Sequence, residues 1–360
     1  MHPYKSLPES AFWRSAVARN SLFDIRGLWP PKFNITPEMP ISTFGSCFAQ
    51  HFGHALRDRG YKWMDMEPAP RELSAANAKK FNFGLFTCRT GNIYTTSLLL
   101  QWLKWALDIE TPPEEYWEKD GRIYDPFRPN IEPNGFESVE EMLRSRRVTI
   151  EAMLLMMRRT GLFVFTLGLT ESWVNAQSGH EYPMCPGTVA GDFDGAQHVF
   201  RNQSFQYISQ NLKEAVALLQ RVNPAIKILL TVSPVPLTAT NSGEHVLVAS
   251  SLSKSVLRAV AGEVASSDDG IDYFPSYEII NSAVYKGVFF EPNLRQVNAA
   301  GVDFVMENFF HDLGAKFGES KLSAGKAPVE PTPEQAHANA VCEEELLATF
   351  GTAKTPASQT

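Results

Sequence analysis

The sequence predicts a three-layer α/β/α fold built on a mostly parallel sheet. Short apolar runs rich in Val, Ile, Leu and Phe alternate along the chain with longer stretches of helical periodicity. This alternation is typical of folds in which parallel strands are connected by helices that cover both faces of the sheet. A hydrophobic fraction of 44% in 360 residues is sufficient for a core of that size.

Four runs have the composition and the length of buried strands. Each is short and apolar, and each is followed by Gly, Ser or Pro, which interrupt a strand. The runs are residues 41–44, 162–167, 226–232 and 271–274. We therefore expect four strands in a sheet whose carboxyl ends form one edge.

Helical periodicity is visible after the first strand and between the others. An apolar stripe follows Ser46 and ends at Gly60, which is a suitable C-terminal stop. Ser138 and Glu141 have the spacing of a capping box and mark the start of a helix that ends near Arg159. Further helices are expected at 96–108, 202–223, 245–265 and 298–313.

The chain is expected to contain a single domain over residues 35–320. Residues 1–34 are interpreted as an N-terminal extension that packs on this domain. Residues 321–360 are predicted to be a mobile tail, because Ala, Pro, Glu and Thr predominate there without an apolar period. The segments 60–95 and 110–137 are rich in Pro, Gly, Asn and aromatic residues, and we expect irregular insertions near the ligand edge.

Composition excludes several classes of protein. The formal net charge of -7 leaves no basic face for nucleic acid. No run approaches the roughly 20 apolar residues of a membrane span, and the first residues lack the apolar core of a secretory signal. Four cysteines are scattered without C-x-x-C pairs, which fits a reducing compartment. We expect a soluble, cytoplasmic protein of undetermined oligomeric state that binds neither nucleic acid nor membrane.

No cofactor is expected from the motifs. Neither the G-x-G-x-x-G dinucleotide pattern nor the G-x-x-x-x-G-K-[ST] phosphate loop occurs in the chain. The Gly- and Pro-rich residues 185–191 are interpreted as a loop on the substrate side. We therefore predict a site that works with side chains alone, without a nucleotide or a metal.

Polar residues follow all four predicted strands. In an open α/β sheet the ligand crevice lies at the carboxyl ends of the strands, where loops and helix N-termini converge. The polar stretches at these ends are residues 45–47, 168–171, 233–235 and 275–278. Their coincidence at one edge predicts a functional site there.

Ser46 and Cys47 occupy the turn between the first strand and the first helix. Ser46 has the position of an N-cap, whose oxygen accepts a hydrogen bond from the first helical turn. Cys47 would lie in that turn, where the helix dipole stabilises a thiolate and lowers the thiol pKa. An equally consistent interpretation is that Ser46 only caps and Cys47 only packs as a small apolar side chain.

Two histidines share a helix face with Cys47. His51 and His54 follow it by four and seven residues, so that the three side chains point the same way. The spacing fits a Cys–His pair or a soft metal site. The more usual explanation of such spacing is the solvated flank of a helix whose other face is apolar.

Three further polar residues lie at predicted strand or helix ends. Glu171 follows a strand and is either a base or a hydrogen-bonded carboxylate that braces the loop. His245 precedes a helix and is either a base near the crevice or a surface capping residue. Lys254 either neutralises a bound anion or is simply solvated.

The motif F-G-S-C-F-A-Q at 44–50 resembles the eponymous motif of the GSCFA family, which is grouped with the SGNH (GDSL-type) hydrolases. The likeness covers about residues 35–315. Its other motifs are residues 82–84, 166–173, 231–237 and 272–278. The resemblance implies an SGNH-like, flavodoxin-like α/β/α fold with a bacterial-type esterase, hydrolase or acyltransferase site.

The resemblance also implies roles for single residues. The superfamily motif F-G-D-S-L places Ser46 at the Asp and Cys47 at the nucleophile. Gly84, with Asn82 beside it, matches the glycine of the oxyanion hole. Thr170 replaces the Asn of the Gly-x-Asn block and retains one hydrogen-bond donor where the amide has two.

The last superfamily block departs from its pattern in this chain. Asn293 and Gln296 stand where the superfamily has Asp-x-x-His, and neither amide can accept and return a proton near neutral pH. The general base is therefore unassigned, with His245, His51 and Glu171 as candidates in that order.

Two classes of function follow. The first is an SGNH-like esterase or acyltransferase that acts on an ester of a small molecule or glycan, with the carbohydrate part resting on analogy alone. The second is a binding or scaffold protein that kept the fold and lost the catalytic triad.

Overall fold

The computed structural model describes residues 2–318 and 343–351, and at its centre lies a parallel sheet. Its strands are β1 (Ile41–Gly45), β4 (Leu162–Leu167), β8 (Lys227–Val232) and β9 (Ile271–Tyr273). They pair in the order β1-β4-β8-β9, and every pair is parallel. The four predicted strands are confirmed, with ends that differ by at most one residue.

Eight α-helices accompany the sheet in the described part of the chain. They are α1 (Cys47–Asp58), α2 (Ala75–Lys80), α3 (Thr96–Ala106), α4 (Val139–Arg159), α5 (Phe205–Val222), α6 (Val246–Ser266), α7 (Ser276–Asn281) and α8 (Ala299–Phe317). Serine side chains cap the starts of α2, α4 and α5. Ser138 Oγ accepts the N–H of Glu141 before α4, and Ser204 Oγ accepts the N–H of Tyr207 before α5.

Helices cover both faces of the sheet. One apolar cluster joins α3, α4, α5 and α6 to strand residues such as Phe163 and Phe165. The other joins α1, α7 and α8 to the alternating residues Leu162 and Val164. Because successive strand residues point to opposite faces, β1, β4 and β8 each contribute to both clusters. This is the predicted three-layer α/β/α arrangement.

Two small sheets lie in the segments between the main elements. A hairpin is formed by β2 (Trp117–Lys119) and β3 (Arg122–Tyr124). A second antiparallel sheet contains β5 (Glu171–Asn175), β6 (Glu181–Tyr182) and β7 (His198–Asn202), in the order β6-β5-β7. The sequence pattern had predicted a helix from residue 202. That start was wrong, because residue 202 ends β7 and the cap at residue 204 delays α5.

A buried carboxylate holds the second sheet against the start of α3. Glu181 is 3% exposed, and its carboxylate accepts hydrogen bonds from the hydroxyls of Thr95 and Ser97. Gln203 Nε2 donates to the same carboxylate at 3.2 Å. Burial raises the pKa of Glu181 to about 7, although the three hydrogen bonds oppose that shift.

The N-terminal segment meets the end of α8 beside the start of β9. The backbone N–H of Trp29 donates to Asp312 Oδ2 at 2.9 Å, and its indole N–H donates to Asp272 Oδ2 at 3.1 Å. Lys316 Nζ donates to the carbonyl oxygen of Pro31 at 2.5 Å. The end of α8 is thereby anchored beside the first residues of β9.

The start of α8 consequently lies at the opposite edge of the sheet. With 19 residues, α8 is about 28 Å long, which exceeds the roughly 15–20 Å length of the strands. Helix α1 begins at that carboxyl edge too, because it follows β1 directly. Phe52 of α1 contacts Phe309 of α8 with ring centroids 5.1 Å apart, so the two helices are neighbours.

Glycine is required where β1 ends. Gly45 pairs with Thr166 of β4, and a Cβ at Gly45 would lie 2.3 Å from the Thr166 carbonyl oxygen. The backbone of Gly45 has φ +136°, a conformation that other residues rarely adopt. Two further bonds fix this corner: Ile93 N–H donates to the Gly45 carbonyl at 2.9 Å, and Ser46 N–H donates to Thr166 O at 3.4 Å.

We predict that Gly45→Ala lowers the free energy of unfolding by on the order of 2–4 kcal/mol, through backbone strain and steric overlap together. Chemical denaturation measures the change. Gly121→Ala is the matched control, because Gly121 has φ +71° and open space around its Cα. We expect it to cost about 1 kcal/mol. Equal losses in the two variants would contradict the close approach at Gly45.

A second prediction concerns pH and Glu181. Its pKa of about 7 in the folded chain lies above the ordinary value of 4.5, so between these pH values the folded chain keeps a proton that the unfolded chain has lost. The free energy of unfolding therefore falls as pH rises from about 4.5 to about 7. Glu181→Gln, which stays neutral, should lose that dependence and gain about 1–3 kcal/mol relative to wild type between pH 5 and pH 8.

Denaturant titrations of both proteins at several pH values test this prediction. Glu137→Gln is the control, because the Glu137 carboxylate is 83% exposed and its removal should change the free energy of unfolding far less than Glu181→Gln does. A constant difference between wild type and Glu181→Gln across this range would show that Glu181 is already ionised in the folded chain at pH 5.

Candidate active site

The junction of β1 and α1 places two nucleophilic side chains next to each other. Ser46 is 3% exposed and Cys47 is 7% exposed. Cys47 is the first residue of α1, where backbone N–H groups and the helix dipole favour negative charge. Its side chain belongs to the apolar cluster between α1 and α8.

Ser46 occupies the N-cap position, but its side chain makes no capping hydrogen bond to the first turn of α1. The capping role predicted from the sequence is therefore wrong. Among the described residues, no group lies within hydrogen-bond distance of Ser46 Oγ, although this atom is buried. Ser46 instead lines a small pocket, and an unsatisfied hydroxyl there is available to a ligand.

This pocket combines the junction with a distant loop. It is lined by Thr43, Phe44, Gly45, Ser46, Ala49, Gln50, Leu85, Phe86 and Gly91. Gln50 lies one helical turn after Ser46, and its Nε2 donates to Asn92 Oδ1 at 2.8 Å. The bond fixes the Gln50 amide beside the pocket. Sequence reasoning missed Gln50 and Gly91, although the spacing of four residues between Ser46 and Gln50 was a usable signal.

Gly84 and Asn82 lie beside the pocket but do not line it. The Gly84 backbone is hydrogen-bonded by His54, and its carbonyl oxygen lies 3.4 Å from an Arg57 nitrogen. Asn82 has φ +57°, and its Nδ2 donates to the carbonyl oxygen of Asn130 at 2.9 Å. The residues directly after Gly84 do reach the pocket. An oxyanion role for Gly84 thus stays a prediction.

Thr170 and Lys254 each form hydrogen bonds at the turn after β4, with different partners. Lys254 is 3% exposed, and its Nζ donates to the Gly168 carbonyl oxygen at 2.7 Å. The Thr170 N–H donates to Ser253 Oγ at 3.2 Å, and its hydroxyl donates to Asn202 Oδ1 at 2.8 Å. Thr170 would have to exchange one of these bonds to stabilise an oxyanion. Lys254, a residue of α6, supplies a positive charge at this edge.

Glu171 begins β5 and is held by a neighbouring loop. Its carboxylate accepts the hydroxyl of Thr240 at 2.5 Å and the N–H of Asn241 at 3.4 Å. Partial burial raises the pKa of Glu171, and these two hydrogen bonds oppose the shift. The contacts match the bracing role that was the alternative to a catalytic base.

The three histidines considered as bases or ligands have different surroundings. His245 is exposed and caps α6, with Nδ1 accepting the Leu247 N–H at 3.2 Å. His51 is half-buried on α1, with its ring 6.4 Å from that of Phe48. Burial, and next the charge of Arg57, lower the pKa of His54. None of the three is a hydrogen-bond partner of Ser46 Oγ.

A metal site using Cys47, His51 and His54 gains no support. Within residues 2–318 and 343–351, no group of three His, Cys, Asp or Glu side chains has an arrangement that could hold a metal ion. Over the same ranges, no helix has both the length and the apolar character needed to cross a lipid bilayer.

The two amides at the resembled Asp-x-x-His positions form a turn before α8. Asn293 Oδ1 accepts the N–H groups of Arg295 and Gln296, each at 3.0 Å. Asn293 Nδ2 donates to Gln296 Oε1 at 3.2 Å, and Gln296 Nε2 donates to Glu345. These contacts stabilise the turn and hold one carboxylate from the C-terminal segment.

The sequence of the chain matches the model of one protein family. No curated protein and no solved structure shows significant similarity to the chain. The profile of the GSCFA family matches residues 40–309, which include β1, the Ser46–Cys47 junction and most of α8. The chain belongs to the GSCFA family.

Proposed function

We propose that the chain is an esterase or acyltransferase that forms a thioester at Cys47. The observation that supports this proposal is the pairing of two features at one helix start. A thiol lies at the positive end of α1, and the adjacent Ser46 hydroxyl faces a pocket without a partner among the described residues. A nucleophile beside an available hydrogen-bond donor is the minimal arrangement for acyl transfer.

Cys47 suits this reaction better than Ser46. A serine hydroxyl needs a base at hydrogen-bond distance to become nucleophilic, and no described residue provides one for Ser46 Oγ. A thiol loses its proton far more readily than a hydroxyl, and the first-turn N–H groups of α1 favour the thiolate against the opposing effect of the apolar cluster around Cys47. The chain has Gln296 where the SGNH superfamily has its histidine base, and this difference is compatible with Cys47 as the nucleophile.

The proposed chemistry has two steps. The Cys47 sulfur attacks the carbonyl carbon of an ester, an S–C bond forms, and the C–O bond to the alcohol breaks as the alcohol leaves with the proton that the thiol has lost. A second alcohol or water then attacks the thioester, a new C–O bond forms, the C–S bond breaks, and the proton of the attacking hydroxyl returns to the Cys47 sulfur. Ser46 Oγ and the Gln50 amide line the pocket next to Cys47, whereas Cys47 itself does not line it. The thiol must therefore rotate toward the pocket for these two donors to reach the carbonyl oxygen as it gains negative charge.

The substrate class rests on the relation to SGNH hydrolases. If that relation holds, the acyl group is part of a small-molecule or glycan ester. The pocket beside Ser46 has a volume of only about 10 Å³, room for about one water molecule, so it must widen before any acyl group can enter. We infer no nucleotide, metal or nucleic acid in the reaction, and a cytoplasmic location remains part of the proposal.

A binding or scaffold function is the second candidate. The amide pair of Asn293 and Gln296 favours it, because these side chains bond each other and cannot move protons. In this alternative, the pocket at Ser46 would hold a ligand without reacting with it. Covalent labelling separates the two functions.

We predict that an activated acetyl ester, p-nitrophenyl acetate, acetylates the wild-type chain on Cys47. Peptide mass spectrometry locates the group. Cys47→Ala should abolish the adduct, and Ser46→Ala should slow its formation by about 10²-fold through loss of one donor. Cys185→Ala is the control and should change nothing, because burial raises the pKa of Cys185 to about 11 and keeps that thiol protonated.

The outcomes discriminate between the functions. An adduct on Ser46 in both wild type and Cys47→Ala would reverse the roles of the two residues. No adduct in any variant, with the protein folded, would favour the binding function.

A further inference from the structure

A second hydroxyl without a partner is buried at the carboxyl end of β4. Thr166 is fully buried, and among the described residues no group forms a hydrogen bond with its Oγ1. Such a hydroxyl lowers stability, because it has lost its hydrogen bonds to water and gained none in the protein. Native proteins retain few groups of this kind, and a role at a functional site is one reason for keeping them.

The register of the sheet places Thr166 beside the junction of β1 and α1. Thr166 pairs with Gly45, and its carbonyl oxygen accepts the Ser46 N–H at 3.4 Å. Gly45 has no side chain, and a Cβ there would lie 2.7 Å from the Thr166 Cβ. The Thr166 side chain therefore lies against the Gly45 backbone, two residues before Cys47.

The same side chain points toward the layer that contains Cys47. Side chains alternate along a strand, so Thr166 shares its face of the sheet with Leu162 and Val164. Both of these residues belong to the apolar cluster of α1, α7 and α8, and Cys47 is a member of that cluster. The Thr166 hydroxyl is thus a polar group in the apolar layer that also receives the Cys47 thiol.

The neighbouring strand provides a comparison. Thr231 of β8 pairs with Thr166 and is buried on the same face. Its hydroxyl has a partner, because Thr231 Oγ1 and Ser276 Oγ lie 2.5 Å apart. Within the part of the chain that the structure describes, the Thr166 hydroxyl has no such partner and keeps a hydrogen bond to donate.

We propose that the Thr166 hydroxyl donates a hydrogen bond to the Cys47 sulfur and favours its thiolate. The proposal deepens the acyl-transfer function and rests on it for the role of Cys47 as the nucleophile. A thiolate in an apolar layer is disfavoured unless hydrogen-bond donors meet its charge. The first-turn N–H groups of α1 supply donors from the helix, and Thr166 supplies one from the sheet. The bond belongs to the orientation seen in the structure, before the sulfur turns toward the Ser46 pocket.

The pH at which Cys47 loses its proton tests this hydrogen bond. The ultraviolet absorbance of the thiolate is followed between about pH 5 and about pH 10, as the difference between each protein and its Cys47→Ala counterpart. Thr166→Val removes the hydroxyl and keeps the shape of the side chain. We expect the midpoint of the Cys47 titration to rise by about one pH unit, a tenfold change in the thiolate equilibrium.

Stability separates this role from a structural one. Below the Cys47 midpoint, where the sulfur is protonated, the Thr166 hydroxyl has no partner to lose. Thr166→Val should therefore unfold at the same denaturant concentration as wild type or at a higher one. Thr231→Val is the matched control, because it breaks a buried hydrogen bond. It should unfold at a lower denaturant concentration and leave the Cys47 midpoint unchanged.

Other ionisable groups on the elements of this layer act equally in these proteins. They include His51 and His54 on α1, Glu278 on α7, Arg295 before α8 and Asp303 on α8. Neither valine substitution changes their charge. The shift in the midpoint therefore reports the Thr166 hydroxyl.

Equal midpoints in wild type and Thr166→Val would overturn the proposal, and so would the lack of a Cys47 titration in both. An equal rise in Thr231→Val, or a loss of stability in Thr166→Val below the midpoint, would give the hydroxyl a structural role and overturn it too. A shifted midpoint without an acyl adduct would retain the hydrogen bond and reject acyl transfer. An adduct with an unchanged midpoint would do the reverse.

Discussion

The close approach of β1 to β4 at Gly45 is the constraint on which the candidate site depends. The Gly45 backbone lies against the Thr166 carbonyl where any side chain would overlap. The parallel pairing can therefore continue to the last residue of β1, and the chain turns directly into α1. Ser46 and Cys47 are presented at the sheet edge as a result, with no intervening loop to move them.

That turn divides two adjacent side chains between two environments. Ser46 faces a polar-rimmed pocket with Gln50, whereas Cys47 faces the apolar layer between α1 and α8. The thiol and the hydroxyl therefore do not face the same space, and the proposed reaction requires Cys47 to turn toward the pocket that Ser46 lines. The amides of Asn293 and Gln296 then have a structural role at this edge, because they form the turn that binds the Glu345 carboxylate.

The sequence predicted the central sheet and the layers because buried parallel strands are apolar throughout and are interrupted by Gly, Ser or Pro. It could not predict the sheet of β5, β6 and β7, whose strands are short and partly polar. The network around Glu181 was equally hidden, because Thr95 and Gln203 approach it from distant parts of the chain. Residue preference suggested a cap at Ser46, and only the structure shows its hydroxyl lining a pocket instead.

The site residues divide in the same way. The junction at Cys47 was predictable from one local motif. Gly91, in contrast, belongs to a distant loop that is hydrogen-bonded to the junction, because the Ile93 N–H donates to the Gly45 carbonyl oxygen. Glu171 and His245 were chosen for their chemistry near strand and helix ends. The structure gives both of them local structural bonds, to Thr240 and to the start of α6. The 321–360 tail falls outside the described residues except for 343–351, which form a 3₁₀-helix.

We propose that the chain holds an acyl group covalently on Cys47 during turnover. Rapid-mixing kinetics with p-nitrophenyl acetate test this proposal, because a covalent intermediate releases the first alcohol before it is itself consumed. We expect a burst of nitrophenol of about one equivalent per chain, followed by slower steady release, and no burst in Cys47→Ala. Linear release from the first turnover, or a burst that Cys47→Ala retains, would rule out a covalent intermediate at Cys47.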